Sequence, residues 1–148
     1  MSSWERLRAV RMGARARSRT GRLSIAVCAA PSRLATLTRA LLRMGSFRPP
    51  PEAAPKLPLP HVLAVMPLEE GPDLEVLGVP LDARFHPMWP LALSRASIAV
   101  RLDPSPALDD ACAVVGTALV DASTLVPTFS EEDEEQVAAL LHAAAERA

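Results

Sequence analysis

The chain has 148 residues and a mass of 15.8 kDa, the size of one ordinary domain, which excludes an enzyme built from separate cofactor and substrate lobes. Hydrophobic residues make up 49% and charged residues 22%, proportions that support a buried core and exclude a wholly disordered chain. The formal net charge of −1 conceals a polarity: residues 1–48 hold 11 of the 16 basic side chains and one acid, net +10, and the remainder is net −11.

Fifteen of the 16 basic residues are arginine, and tyrosine and asparagine are absent, a bias expected of a GC-rich genome. Cys28 and Cys112 stand far apart, without a Cys-x-x-Cys pair, and the three histidines complete no zinc spacing, so neither a disulfide framework nor a structural metal is expected. No apolar run approaches the roughly 18 residues needed to span a bilayer, and the amino-terminal region lacks the continuous apolar stretch of a secretory signal; the expected compartment is the cytosol.

Residues 1–22 carry seven arginines and one acid, Glu5, with Trp4, Leu7 and Val10 as apolar residues. They read as a short basic amphipathic helix or an unstructured arm. Such an arm suits weak contact with an anionic membrane surface and also resembles a transit peptide; it shows no stacking or groove-reading motif for specific nucleic-acid binding. The folded domain is expected over 23–148.

The run Leu23-Ser24-Ile25-Ala26-Val27-Cys28 predicts a strand. After the turn Ala29-Ala30-Pro31-Ser32, the spacing of Leu34, Leu37, Leu41 and Leu42 predicts a helix with Ser32 as N-cap and Gly45 as its stop. Six prolines in residues 49–60 predict an extended surface loop. Residues 61–66 and 74–79 read as adjacent strands across a turn of Glu, Gly, Pro and Asp. Further on come a short helix or irregular segment at 87–95, a strand at 96–102, a helix from Ser105 to Val120, and an edge strand at 124–127. A final helix is expected to be capped by Ser130, with Glu131, Glu132 and Asp133 at the positive end of its dipole. Strands alternating with helices predict an α/β three-layer sandwich with a mostly parallel sheet and at most one antiparallel hairpin.

In such a sheet, ligands sit at the carboxyl ends of strands, and the first strand-turn-helix is where a phosphate loop would lie. The pattern G-x-x-x-x-G-K-[ST] supplies backbone amides, a lysine and a magnesium-binding hydroxyl; here its four defining positions fall on Cys28, Arg33, Leu34 and Ala35. The apolar rhythm nevertheless resembles a Ras-like small GTPase stripped of its nucleotide-binding side chains. Gly78-Val79-Pro80-Leu81-Asp82-Ala83-Arg84-Phe85, followed by Ala96-Ser97-Ile98-Ala99-Val100 and Asp103-Pro104-Ser105, is similar to switch II and the next strand of the bacterial MglA-type Ras-like GTPases. Those proteins carry T-V-P-G-Q there; the glycine is replaced by Leu81 and the catalytic glutamine by Asp82. A guanine-reading N-K-x-D is impossible without asparagine, and too few residues follow 105 for every later element of a G domain.

The resemblance therefore implies a shortened pseudo-GTPase with no cofactor, no metal and no catalysis, acting as an interaction or scaffolding subunit. Its implied partners are a Roadblock/LC7-type protein or a GTPase-family homologue. The expected contact residues are Asp82, Arg84, Phe85, Met88 and Trp89, because bulky Trp, Phe and Met favour interface centres; core packing is the alternative for this cluster. Three other chemistries are weighed. An atypical nucleotide switch would use Arg33 as a phosphate contact. A Cys28-dependent hydrolase would need C-x5-R, whereas Arg33 gives C-x4-R and Cys28 reads as a buried strand residue. Asp82, His86 and Asp103 form an acid/base group only if the fold brings them together. The acids from Glu131 to Glu135 read as a solvated helix start, not a cation site.

Overall fold

The computed structural model describes residues 2–10, 22–69 and 72–148. Twelve elements follow one another: α1 (Ser3–Arg8), β1 (Leu23–Ala29), α2 (Pro31–Arg43), β2 (His61–Met66), β3 (Leu74–Pro80), a 3-10 turn (Ala83–Met88), α3 (Trp89–Leu93), β4 (Ile98–Arg101), α4 (Pro106–Val115), β5 (Leu119–Asp121), α5 (Ala122–Leu125) and α6 (Glu134–Arg147). The sheet runs in the order β2-β3-β1-β4-β5. All pairings are parallel except β2 with β3. β1 lies in the middle, between β3 and β4, so an apolar side chain at almost every position is what both faces of that strand require.

Alternation along β1 separates two cores. Leu23, Ile25, Val27 and Ala29 face a cluster with Leu34, Leu37 and Leu41 of α2 and with Val137, Leu140, Leu141 and Ala144 of α6. Ala26 and Cys28 face Leu77, Val79, Trp89, Leu93, Leu108 and Cys112 on the other side. Helices thus cover both faces of a mostly parallel sheet, and each buried leucine contributes about 2 kcal/mol. Among the described residues no helix is long and apolar enough to cross a membrane.

Several boundaries depart from the sequence expectations. α2 begins at Pro31 with Ala30 as its N-cap, not Ser32, because proline at N1 already has the helical φ and brings no amide that would go unpaired there. Gly45, at φ +76°, follows the helix as expected of a stop. α4 ends at Val115, not Val120, since Gly116 at φ +72° reverses the chain; the next strand is Leu119–Asp121, and the helix Ala122–Leu125 overlaps the start of the strand expected at 124–127. α6 starts at Glu134. Its cap is Asp133, whose Oδ1 accepts from the Gln136 amide at 3.1 Å, while Gln136 Oε1 accepts from the Ser130 amide at 2.7 Å.

Part of the arginine-rich arm belongs to the fold. α1 packs on α6, with Leu7 fully buried and Val10 9% exposed, and the Ser3 amide donates to Glu135 Oε1 at 2.8 Å. The rest of the arm, residues 11–21, lies outside the described residues.

Gly78 occupies a close approach in β3. A Cβ there would stand 2.7 Å from Leu63 Cδ2 and 2.9 Å from its Cγ, and Leu63 is itself buried on β2. Gly78→Ala is expected to lower stability by about 1–2 kcal/mol through forced repacking of Leu63. The readout is a lower urea midpoint at unchanged slope.

Candidate functional site

A single residue, Ala30, joins the end of β1 to the start of α2, so no loop is available to wrap a ligand. Three of the amides around this helix start, those of Ala30, Arg33 and Leu34, are committed. Ala30 N–H donates to Asp103 Oδ2 at 2.9 Å, Pro31 has no N–H, and the Arg33 and Leu34 amides donate to the Ala30 carbonyl at 3.0 and 3.1 Å.

Arg33 is held from three sides. Its Nε and Nη2 meet Glu131 Oε1 and Oε2 at 2.9 Å each, a two-pronged pair, and its Nη1 donates to Asp103 Oδ1 at 2.9 Å and to the Leu102 carbonyl at 3.0 Å. The hydrogen bond to Glu131 is the largest influence raising the guanidinium pKa, and the same bond holds the Glu131 carboxyl below its ordinary range. The carboxylates of Glu131 and Asp103 occupy the place a phosphate would take against Arg33 and the α2 start. Glu131 reaches it from a loop in which Thr128, a β-branched residue, is held at φ +58°.

Other acids crowd the carboxyl ends of the strands. Arg101 Nε donates to Asp121 at 2.8 Å and its Nη1 bonds Asp109, on the wall of a cavity of about 550 Å³ that also includes Asp103 and Ser123. Asp109, Asp121, Asp103, Glu131 and Asp82 stand against Arg33, Arg84 and Arg101 at this end of the sheet, an excess of negative charge unsuited to a polyphosphate.

The other candidate residues are placed as follows. Leu34 is 3% exposed and packs in the core, whereas Ala35 is exposed on the wall of a cleft of about 640 Å³ between α2, the proline-rich loop and the 3-10 turn. Cys28 is fully buried. Burial is the main cause raising its thiol pKa, nearby Cys112 adds to it, and Arg101 offsets it only in part. With Arg33 committed to carboxylates, no thiolate nucleophile is prepared there. Asp82, His86 and Asp103 are engaged separately: Asp82 by Arg84 at 2.7 and 3.0 Å, His86 Nδ1 by the Ala83 carbonyl at 3.0 Å, and Asp103 by Arg33 and Ala30. In the acidic run, Glu131 pairs with Arg33, Glu134 with Arg43 at 3.0 Å, and Glu135 accepts from Ser3. Among the described residues no group of three or more His, Cys, Asp or Glu side chains is arranged to hold a metal.

The segment from Asp82 to Trp89 divides between surface and core. Arg84 pairs with Asp82 and its guanidinium lies 5.3 Å from the Phe85 ring centre, Phe85 is half-buried, and Met88 is 45% exposed. Trp89 is not an exposed anchor. It is 2% exposed within the second core cluster, at the point where a 3-10 turn containing Pro87 leads into α3 with Pro90 in its first turn. Leu91, 71% exposed, and Leu57, 55% exposed, are apolar surface residues that sequence reasoning missed. Leu91 follows Met88 by three positions, a spacing that a helical reading of 87–95 offers, but the prolines obscure it. Neither a protein-family model, nor a curated protein, nor a solved structure matches the chain, so the arrangement of these side chains is what carries a functional reading.

Proposed function

We propose that this chain is a non-catalytic, Ras-like α/β domain that serves as a protein interaction or scaffolding subunit. The observation that carries the reading is the Arg33 clamp: the position of a phosphate loop is closed by Glu131 and Asp103, which set negative charge where a nucleotide would need positive. The strand order β2-β3-β1-β4-β5, with β2 alone antiparallel, and the placing of α2 and α6 on one face with α3 and α4 on the other, support the resemblance, since a Ras-like G domain shortened by its last strand has this plan.

The contact surface in this reading is Phe85, Met88 and Leu91, rimmed by Asp82 and Arg84, with Trp89 supporting it from beneath. The family resemblance offers a Roadblock/LC7-type protein or a GTPase-family homologue as partner. Calorimetric titration with GTP, GDP and ATP in the presence of magnesium, on protein checked for retained nucleotide, is expected to give no heat of binding. A dissociation constant tighter than about 10 μM, or about −7 kcal/mol, would overturn the proposal in favour of a nucleotide switch.

A further inference from the structure

The cleft of about 640 Å³ between α2 and the proline-rich loop lies at the carboxyl ends of β1 and β3, where Pro31 opens α2, Pro80 closes β3 and His61 opens β2. Its floor is apolar and buried, formed by Leu34, Leu63 and Pro80. Ala35 and Thr38 of α2 make one wall, and the loop from Ala54 to Pro58 makes the other. Leu57, 55% exposed, stands on that second wall. Pro55 and Pro58 fix φ on the same wall, so the loop loses little chain freedom when a ligand enters. A volume of this size falls within the range of about 300–1,000 Å³ usual for small-molecule sites.

Most polar side chains of the lining are engaged within the chain. Thr38 Oγ1 donates to the Leu34 carbonyl at 2.8 Å, His61 Nδ1 donates to the Leu59 carbonyl at 2.8 Å, and Asp82 is paired with Arg84 at 2.7 Å. Lys56 is different. It is the one lysine of the chain, it lies on the loop wall, and among the described residues it makes no ion pair or hydrogen bond. With Asp82 and Arg84 offsetting each other, the lining carries one uncompensated positive charge beside an apolar floor. That pattern suits a ligand with one negative charge and an apolar body. A polyphosphate, with several charges to offset, would meet a single free ammonium and the carboxylate of Asp82, which agrees with the null expected of the nucleotide titration.

We infer that this cleft binds a small aliphatic monocarboxylate, its chain against Leu34, Leu63 and Leu57 and its carboxylate on the Lys56 ammonium. The cleft exists whether or not the domain is Ras-like. The probe is octanoate, followed by amide resonances of the full nitrogen-15-labelled chain. Octanoate is expected to shift the Ala35, Thr38 and Leu57 resonances saturably and to leave Ala113 and Val114, on α4, unmoved. Affinity is expected to rise from butanoate to octanoate by up to about fourfold per methylene. Octylamine, with the same chain and the opposite charge, is expected not to bind. Lys56→Gln is expected to weaken octanoate binding about fivefold, the size of one ion pair at an exposed position. Lys56→Arg is expected to retain binding, and Arg39→Gln, elsewhere on α2, to leave it unchanged. Ala35→Glu, at an exposed position of the wall, sets bulk and negative charge in the cleft and is expected to abolish binding at an unchanged urea midpoint. No saturable shift in the wild type, octylamine binding as well as octanoate, or Lys56→Gln binding as tightly as Lys56→Arg would overturn the proposal.

Discussion

Trp89→Ala is expected to destabilise the fold by about 3–5 kcal/mol, a large share of the 5–15 kcal/mol that a domain of this kind has in total. The indole is 2% exposed and fills the second core between Leu77, Val79, Leu93, Leu108 and Cys112, so truncation leaves a cavity the rigid sheet cannot close. Its Nε1 is buried without a hydrogen-bond acceptor, a cost already present in the native state. Trp89→Phe keeps most of the ring burial and removes that unpaired donor, so it is expected to lose less than half of what alanine loses. Leu91→Asp, at a position 71% exposed, is expected to change stability by no more than about 0.5 kcal/mol while weakening capture of a protein partner. Urea denaturation of the three variants is the measurement. A Trp89→Ala protein as stable as the wild type would mean the indole is a contact residue and not a core one.

Removing the Arg33 side chain has the second largest expected effect. Arg33→Ala leaves Glu131 and Asp103, 18% and 33% exposed, facing each other and the closed start of α2 without their cation. Breaking a fully buried pair costs about 3–5 kcal/mol and an exposed one less than about 1. At this partial burial, and with a two-pronged geometry, about 2 kcal/mol is expected.

The loss depends on pH in a defined direction. Arg33 holds the Glu131 carboxyl below its ordinary value of 4.5, so the folded-state pKa lies below the unfolded one. The stability this contributes is complete above the unfolded value and disappears as pH falls through the folded one. The difference between wild type and Arg33→Ala is therefore expected to be constant near neutrality and to shrink as the medium becomes more acidic than the glutamate range. Thermal unfolding across that range reads it. A difference independent of pH would show that the clamp works by packing and not by charge. Loss of the clamp also releases the loop that holds Thr128 at φ +58°, so α6 is expected to fray at its start.

Some of this architecture was legible from residue order and type. The apolar run from Leu23 to Cys28 is a central strand because parallel strands covered on both faces need apolar side chains at nearly every position. The spacing of Leu34, Leu37 and Leu41 aligns one face of α2 with that strand, and the loss of glycine, lysine and hydroxyl around Cys28 and Arg33 is visible in the letters alone. Local chemistry also marked Gly45, at φ +76°. Side-chain periodicity specifies which face of an element is apolar, and a residue's own chemistry specifies which backbone conformations it tolerates.

The partner across space is carried by neither, and the tertiary structure decided it. Glu131 reads locally as the first turn of a helix, yet it pairs with an arginine 98 positions away, and the helix starts three residues later at Glu134. The arm's Leu7 and Val10 are buried because α6 offers α1 an apolar surface. Trp89 went to the core and Leu91 to the surface because α3 packs the face carrying Trp89 and Leu93 on the second core, and a residue two positions on lies on the opposite side of a helix. Glu75 acquired Arg22 and Arg95 because β1 and β3 pair in one register, which places its carboxylate beside Ser24 and beneath both guanidiniums. Long-range charge pairing and packing depend on distances that chain folding alone creates, so the clamp and the pairs made by Glu75 are properties of the tertiary structure and not of any single segment.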